Sequence, residues 1–517
     1  MVEQQRETCT IPIIYYRQIT YKMNGKLYIF GIGGTGSRVI KSLVMLASSG
    51  VKINADSIIP IIIDPDFANA DVTRTIEQIK TYVSIRERLA FNEATHNNFF
   101  GISIQNVAHD YRLTFKDTPK KKFKEFSTLS KENQALASIL FSEANLEADM
   151  EVGFKGNPNI RSVTLNQFEE SQDFINFSAN FKPGDRIFIV SSIFGGTGAS
   201  GFPLLLKNLR GLKPTFPNSD AIQHAPIGAI TVLPYFAVKP DEESSINSST
   251  FIGKTKAALQ YYEKNVTGDK SSVNVLYYIG DERTQQYENK EGGVGQRNNA
   301  HIVELAAAMS IIDFASIPDE DSSLMCEEDD NAKIYATDPY FKEFGIENDA
   351  QEVLFSNLTQ KSRNILCTPM TQFTLFSKYI QEHLQYPSTS SQPWAKDNKL
   401  DNAFLNASFV INITKYTKSY IEWLNEMAEN DRAFKPYKLT VSGSDLYSLV
   451  DGIKPYSIKA LWAFIKSGYD LFDAALNEEH TSLSKNLTSE QKFMELFYNV
   501  MYHLVTHLLR KYVPKDA

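Results

Sequence analysis

At 517 residues, with 42% hydrophobic and 22% charged residues, the chain exceeds one ordinary core and has the composition of a folded globular protein, which excludes a disordered or fibrous class. Its net charge of −8 counts against nucleic-acid binding, which shows as a basic excess. Cys9, Cys326 and Cys367 are widely spaced with no CxxC pair, against a disulfide framework or a cysteine zinc site, and no long apolar run or secretory leader stands out, so the expectation is a cytoplasmic protein without a membrane partner or a bound metal of its own.

In chain order, "KLYIFGIGG" from Lys26 reads as a buried strand running into a glycine turn, and "SRVIKSLVMLASSG" as a helix closed by Gly50. "SIIPIIIDPD" is a short, continuous, β-branched run, the pattern of an interior parallel strand, and completes a βαβ unit by Asp66. Residues from about 72 to 150 are more polar and helix-like and read as a solvated insertion; its basic run "KDTPKKKFK" is assigned no function. The strand–turn–helix theme returns at "RIFIVSSIFGGTGASGFPLLLKNLR", "APIGAITVLPYF" and "VNVLYYIGDE", which predicts a doubly wound, mainly parallel α/β sheet. Beyond about Pro318, segments such as "YTKSYIEWLNEMAEN" and "EQKFMELFYNVMYHLVTHLLRKYV" are amphipathic at helical spacing. The expected organisation is an α/β nucleotide-binding domain over 1–297, a long central helix over 298–316 and a mainly helical C-terminal domain over 317–517.

The tetrapeptide GGTG occurs twice, each time between an apolar strand and a helix. Gly31, Gly33 and Gly36 satisfy G-x-G-x-x-G, and with Asp64 at the end of the next strand they would pass as a dinucleotide fingerprint, the acid on a ribose hydroxyl. The second turn, Gly195, Gly196, Thr197 and Gly198, is not needed for that reading. In an open α/β sheet both turns lie at the carboxyl ends of their strands and can face one crevice, where two helix N-termini suit a di- or triphosphate. The expected phosphate-binding residues are therefore Gly33, Gly34, Thr35, Gly36 and Ser37 with Gly195, Gly196, Thr197 and Gly198.

"IFGGTGASGFP" resembles the signature loop of the tubulin and FtsZ superfamily, and further loops of that family follow in order. "GIGGTGSR" is similar to the first and "IIIDPDFANAD", with Asp64, to the second. "GFKGNPNIRS" is similar to the third, through Gly153, Gly156, Asn157, Pro158 and Ile160. "ITVLPYFAVKPDEE" resembles the fifth, with Glu242 or Glu243 as the ribose acid, and "QRNNAHIVELAAAMSIIDFA" the long central helix, with Asn298 or Asn299 either reading a guanine edge or capping the helix. At the sixth loop Gly280 and Asp281 stand where the family presents an asparagine. The resemblance covers about residues 26–316, and the helical C-terminal half likens the chain to divergent bacterial tubulin-like proteins.

This resemblance implies GTP, with Mg2+ as its counter-ion, head-to-tail self-association into filaments, and hydrolysis completed by acids after the central helix of the next subunit. Asp319 and Asp321 stand there, next to Asp313 and Glu320, without the family's N-x-D-x-x-D arrangement. Two other readings stay open: a nucleotide-binding interaction module without turnover, its helical half gripping a protein partner, and an NAD-dependent or adenylating enzyme using the first glycine turn alone. His301, in an apolar helical run, reads as a packed or capping histidine rather than a base.

Overall fold

The computed structural model describes residues 25–114, 122–125, 130–147, 165, 168–238, 248–267, 271–282, 285–287, 295, 297–328, 334–336, 340–343, 350–441, 446, 448–452 and 468–508. Seven strands form one sheet: β1 (Lys26–Ile32), β2 (Ser57–Ile63), β3 (Ser103–Ile104), β4 (Arg186–Ser192), β5 (Ile227–Val232), β6 (Val275–Ile279) and β7 (Tyr340–Glu343). Their spatial order is β3-β2-β1-β4-β5-β6-β7, and every neighbouring pair is parallel. The apolar runs have the expected consequence, since every residue of β2, β4 and β5 is buried.

Helices cover both faces. On one lie α1 (Gly33–Ser48) and α2 (Ala70–Leu89); on the other lie α3 (Gln172–Asn180), α4 (Gly196–Arg210) and α5 (Ser248–Asn265). A central helix, α6 (Ile302–Ala315), packs beside α1, and α7 (Gln360–Glu382), α8 (Ser408–Ala428), α9 (Gly468–Glu479) and α10 (Ser489–Leu508) build the C-terminal half onto that same core. Apolar on every side, α6 is buried along its whole length except at Asp313. α1 is likewise enclosed apart from Gly34. From α8, the Tyr416 hydroxyl donates to the carbonyl of Val44 at 3.2 Å and Trp423 Nε1 to Ser42 Oγ at 3.3 Å, so the helical half sits directly on α1.

Two features depart from the sequence reading. The stretch from residue 72, expected as a solvated insertion, opens inside α2, whose Val72, Ile76, Ile79, Tyr82 and Ile85 belong to the core shared with α1. One strand of this sheet, β7, comes from beyond residue 317, in the half expected to be mainly helical, and extends the sheet past β6. Four residues give too short a pattern to separate a strand from a loop. In α4, Pro203 removes the hydrogen bond that the Ala199 carbonyl would accept four residues back. The hydroxyl of Tyr262 on α5 reaches that carbonyl at 3.4 Å.

Candidate functional site

The strand order reverses between β1 and β4, and a crevice at the carboxyl ends of two such strands is where open α/β sheets bind ligands. Both glycine turns lie there. The first opens α1 directly from β1; the second opens α4 three residues after Ile193, which extends β4 by a hydrogen bond to Val232. The turns are adjacent: a Cβ built on Gly33 would stand 3.4 Å from Thr197 Cβ. Gly33 has φ +73°, a left-handed conformation costly to any side chain. Gly36 and Gly198 serve close packing, because a Cβ would lie 2.5 Å from the Gly31 carbonyl carbon in one case and 2.4 Å from the Ser192 oxygen in the other. Gly34, Gly195, Gly196 and Thr197 remain half-buried at the rim.

Neither helix start has a side-chain cap or an acid in its first turn. Their leading N–H groups and positive dipole ends therefore stand side by side with no protein carboxylate in either first turn, a setting that favours an anion. Ser37 and Ser200 turn their hydroxyls back to the carbonyls of Gly34 and Gly196, at 2.9 and 2.8 Å, and support the turns from within.

The other residues singled out in the sequence are placed less uniformly. Asp64 is buried in the loop after β2, where its carboxylate accepts from the amide of Asp66 at 3.0 Å and from Asn69 Nδ2 at 3.3 Å. Asn298 spends its backbone N–H and its side-chain amide on the two carboxylate oxygens of Asp71, each at 3.1 Å. Asn299 reaches Glu429 at 3.5 Å. Neither caps α6. That role belongs to His301, whose ring Nδ1 accepts from Val303 N at 3.1 Å while Glu304 accepts from His301 N, a capping box with histidine in the usual serine position. Burial pushes the His301 imidazole down to about 4, so the ring is neutral. Gly156, Asn157 and Glu242 lie outside the described residues.

Asp319 and Asp321 lie at the opposite, amino end of the strands. Asp319 pairs with Arg186, the first residue of β4, a fully buried side chain that also donates to the carbonyls of Phe314 at 3.0 Å and Ile317 at 2.8 Å. Asp321 accepts from Ser323 N at 2.9 Å and remains exposed. β4 thus has a glycine turn at one end and the acidic loop at the other, so in a single copy these acids cannot meet a ligand in the crevice.

A buried charge cluster beneath the first turn escaped the sequence reading. Arg38 contacts Glu304 through Nε at 2.5 Å, Asp71 through Nη1 at 2.8 Å and the Tyr235 hydroxyl through Nη2 at 2.7 Å, and approaches Thr35 Oγ1 at 3.5 Å. Burial opposes its charge, but Tyr235, Glu304 and Asp71 outweigh it and hold the guanidinium well above its ordinary pKa. One turn on, Lys41 stands 3.7 Å from Glu426 of α8, which also pairs with Arg74; burial lowers the Lys41 pKa below its usual range. The available signal was two cations three residues apart on a helix without other charges.

Among the described residues no helix is long and apolar enough to cross a membrane, and no group of His, Cys, Asp and Glu is arranged to hold a metal ion. No protein-family model matches the chain, and no curated protein does. Solved structures do. CetZ2 from Haloferax volcanii, in a GTPγS-bound protofilament, is similar at 12% identity over 56% of this chain and 58% of that one, with a TM-score of 0.28. FtsZ from M. jannaschii, an empty dimer, is similar at 14% identity over 57% and 56%, with a TM-score of 0.27. TubZ from Bacillus thuringiensis serovar israelensis, a GTPγS-form protofilament, is similar at 12% identity over 79% and 82%, with a TM-score of 0.28. The aligned region spans less than two thirds of the CetZ2 and FtsZ chains. The α/β class with a helical C-terminal half stands on the strand order and packing themselves.

Proposed function

We propose that the crevice between the two glycine turns holds the phosphates of GTP, with Mg2+ as counter-ion, and that copies of the chain associate head to tail so that Asp319 and Asp321 of one copy face the phosphates bound by the next. The observation that carries this reading is the adjacency of two uncapped helix starts at the reversal of strand order. A dinucleotide bridge needs one such helix start; a polyphosphate makes use of two. The commitment of Asp64 to Asp66 and Asn69 also weakens the NAD reading, which needs that carboxylate for a ribose. Guanine in place of adenine is supported by the ordered loop resemblance alone. The position of Asp319 at the amino end of β4, away from the glycine turns, favours a shared site over a self-contained one. Filter titration with labelled GTP, ATP and NAD tests the ligand: saturable GTP binding supports the proposal, and preference for NAD overturns it. Phosphate release per chain that rises with protein concentration tests the shared site; release that stays flat favours a binding module without turnover.

A further inference from the structure

One strand over from the glycine crevice, beside the carboxyl end of β2, a cavity of about 340 Å³ is bounded by Phe67, by Ile76 and Lys80 of α2, and by His109, Asp110 and Arg112. The segment carrying the last three is held rigidly. Arg112 forms a parallel bridge to Ile62, Leu113 N donates to the Ile62 carbonyl at 2.9 Å, and the buried Asp173 accepts from His109 N at 2.8 Å and Thr114 N at 2.9 Å. Asp110 and Tyr111 both take left-handed backbone conformations, at φ 51° and 60°, which non-glycine residues adopt at a cost.

Arg112 is only 7% exposed, yet among the described residues its guanidinium makes one hydrogen bond, a 3.4 Å contact from Nη1 to the Asp66 carbonyl, and burial outweighs the pull of the Asp64, Asp66 and Asp110 carboxylates on its charge. The guanidinium lies 5.2 Å from the centre of the Phe67 ring, and that ring is itself 49% exposed. Most of a planar five-donor fork is therefore left for a partner in the cavity. Lys80 is already paired with Asp110 at 2.8 Å, Glu77 stands on the rim and the Asp64 and Asp66 carboxylates act on Arg112 as well, so these surroundings repel a polyphosphate and leave the Arg112 fork as the place for a single oxyanion. The volume is several times that of a bare oxyanion, and the apolar part of the lining is Phe67 and Ile76.

We propose that this cavity binds a small organic anion, a carboxylate or phosphate monoester with a flat apolar body, its oxyanion on the Arg112 fork and its body against Phe67. The site is independent of the glycine crevice. Calorimetric titration with phenyl phosphate, benzoate and inorganic phosphate tests it and separates the two headgroups. One or both organic probes are expected to saturate a single site per chain, with inorganic phosphate weaker. Arg112→Gln and Arg112→Lys are each expected to weaken the organic probe about tenfold or more, since lysine keeps the charge and loses the fork. Phe67→Ala, at an exposed position that tolerates truncation, should bring the organic probe down to the affinity of inorganic phosphate, and Gly196→Val should leave it bound. Absence of binding by either organic probe at millimolar concentration overturns the proposal, as does affinity unchanged in both Arg112→Gln and Phe67→Ala, or competitive displacement by GTP.

Discussion

Arg38 on α1 and Asp71 on α2 are joined at 2.8 Å in the interior, and the same guanidinium holds Glu304 at the head of α6. One cation thus ties together the helix that follows the first glycine turn, the helix that follows the second loop and the central helix. Replacing it by an apolar side chain strands two buried carboxylates. Arg38→Met is therefore expected to cost about 3–5 kcal/mol, the penalty for breaking a buried charge network from one side. Urea denaturation measures it, and adding Asp71→Asn and Glu304→Gln should recover much of the loss. An unchanged midpoint for the single variant would mean that the cluster does not hold these helices.

The cap of α6 makes stability depend on pH in a definite direction. His301 Nδ1 accepts from Val303 N, so protonation removes the acceptor and places a charge in a fully buried site. The folded-state value of about 4 lies below the ordinary 6.5. The contribution of His301 is thus complete above pH 6.5, is lost progressively as the pH falls towards 4, and is level below that. Over that window the loss is about 3 kcal/mol. His301→Asn keeps a capping acceptor and does not titrate. The difference in unfolding free energy between the two proteins should shrink by that amount on acidification from pH 7 to pH 4; a constant difference would refute the assignment.

These two sites mark how far the sequence was legible. The sheet was, because fully buried parallel strands such as Ser57–Ile63 and Arg186–Ser192 are unbroken apolar runs bracketed by glycine turns. The adjacency of the turns followed from the rule that they lie at strand ends. Arg38 and Lys41 were not legible, because a charge on a helix reads as a solvated face unless its partners are known, and Asp71, Glu304 and Glu426 are far away in sequence. The α6 cap was legible only as a choice among neighbours: two asparagines, the favoured capping residues, precede a histidine that also read as packed or capping, and it is the histidine that takes the position. Arg112 stood in a polar stretch without periodicity, and the cavity it faces is made by tertiary packing against Phe67.

Glycine substitutions should separate packing from ligand contact. Gly34 and Gly196 sit at the rim of the crevice, so Gly34→Val and Gly196→Val are expected to abolish nucleotide binding with little change in the circular dichroism spectrum. Gly198→Ala behaves otherwise, since its methyl group would meet the Ser192 carbonyl at 2.4 Å and force α4 away from β4. The expected result is a loss of about 1–3 kcal/mol in stability before any effect on ligand affinity is read. Nucleotide affinity preserved in both valine variants would remove the crevice from consideration.

The strongest test of a shared site uses two defective proteins. Asp319→Ala with Asp321→Ala removes the acids at one end of the strands and leaves the glycine turns intact, while Gly196→Val blocks the turns and leaves the acids. If each site is completed by a neighbouring copy, neither protein alone releases phosphate from GTP, but a mixture does, because the binding end of the first meets the acidic end of the second. Asp319 also pairs with buried Arg186, but its own side chain is 39% exposed, and Arg186 keeps its hydrogen bonds to the Phe314 and Ile317 carbonyls when the acid is removed. The acid variant should therefore stay folded and keep its nucleotide affinity. Turnover in the mixture, peaking near equal amounts, requires the two ends to come from different copies. Activity retained by the acid variant alone would show that Asp319 and Asp321 have no part in the reaction. Silence in the mixture, with binding intact, would leave these acids to the structural work of anchoring the loop after α6.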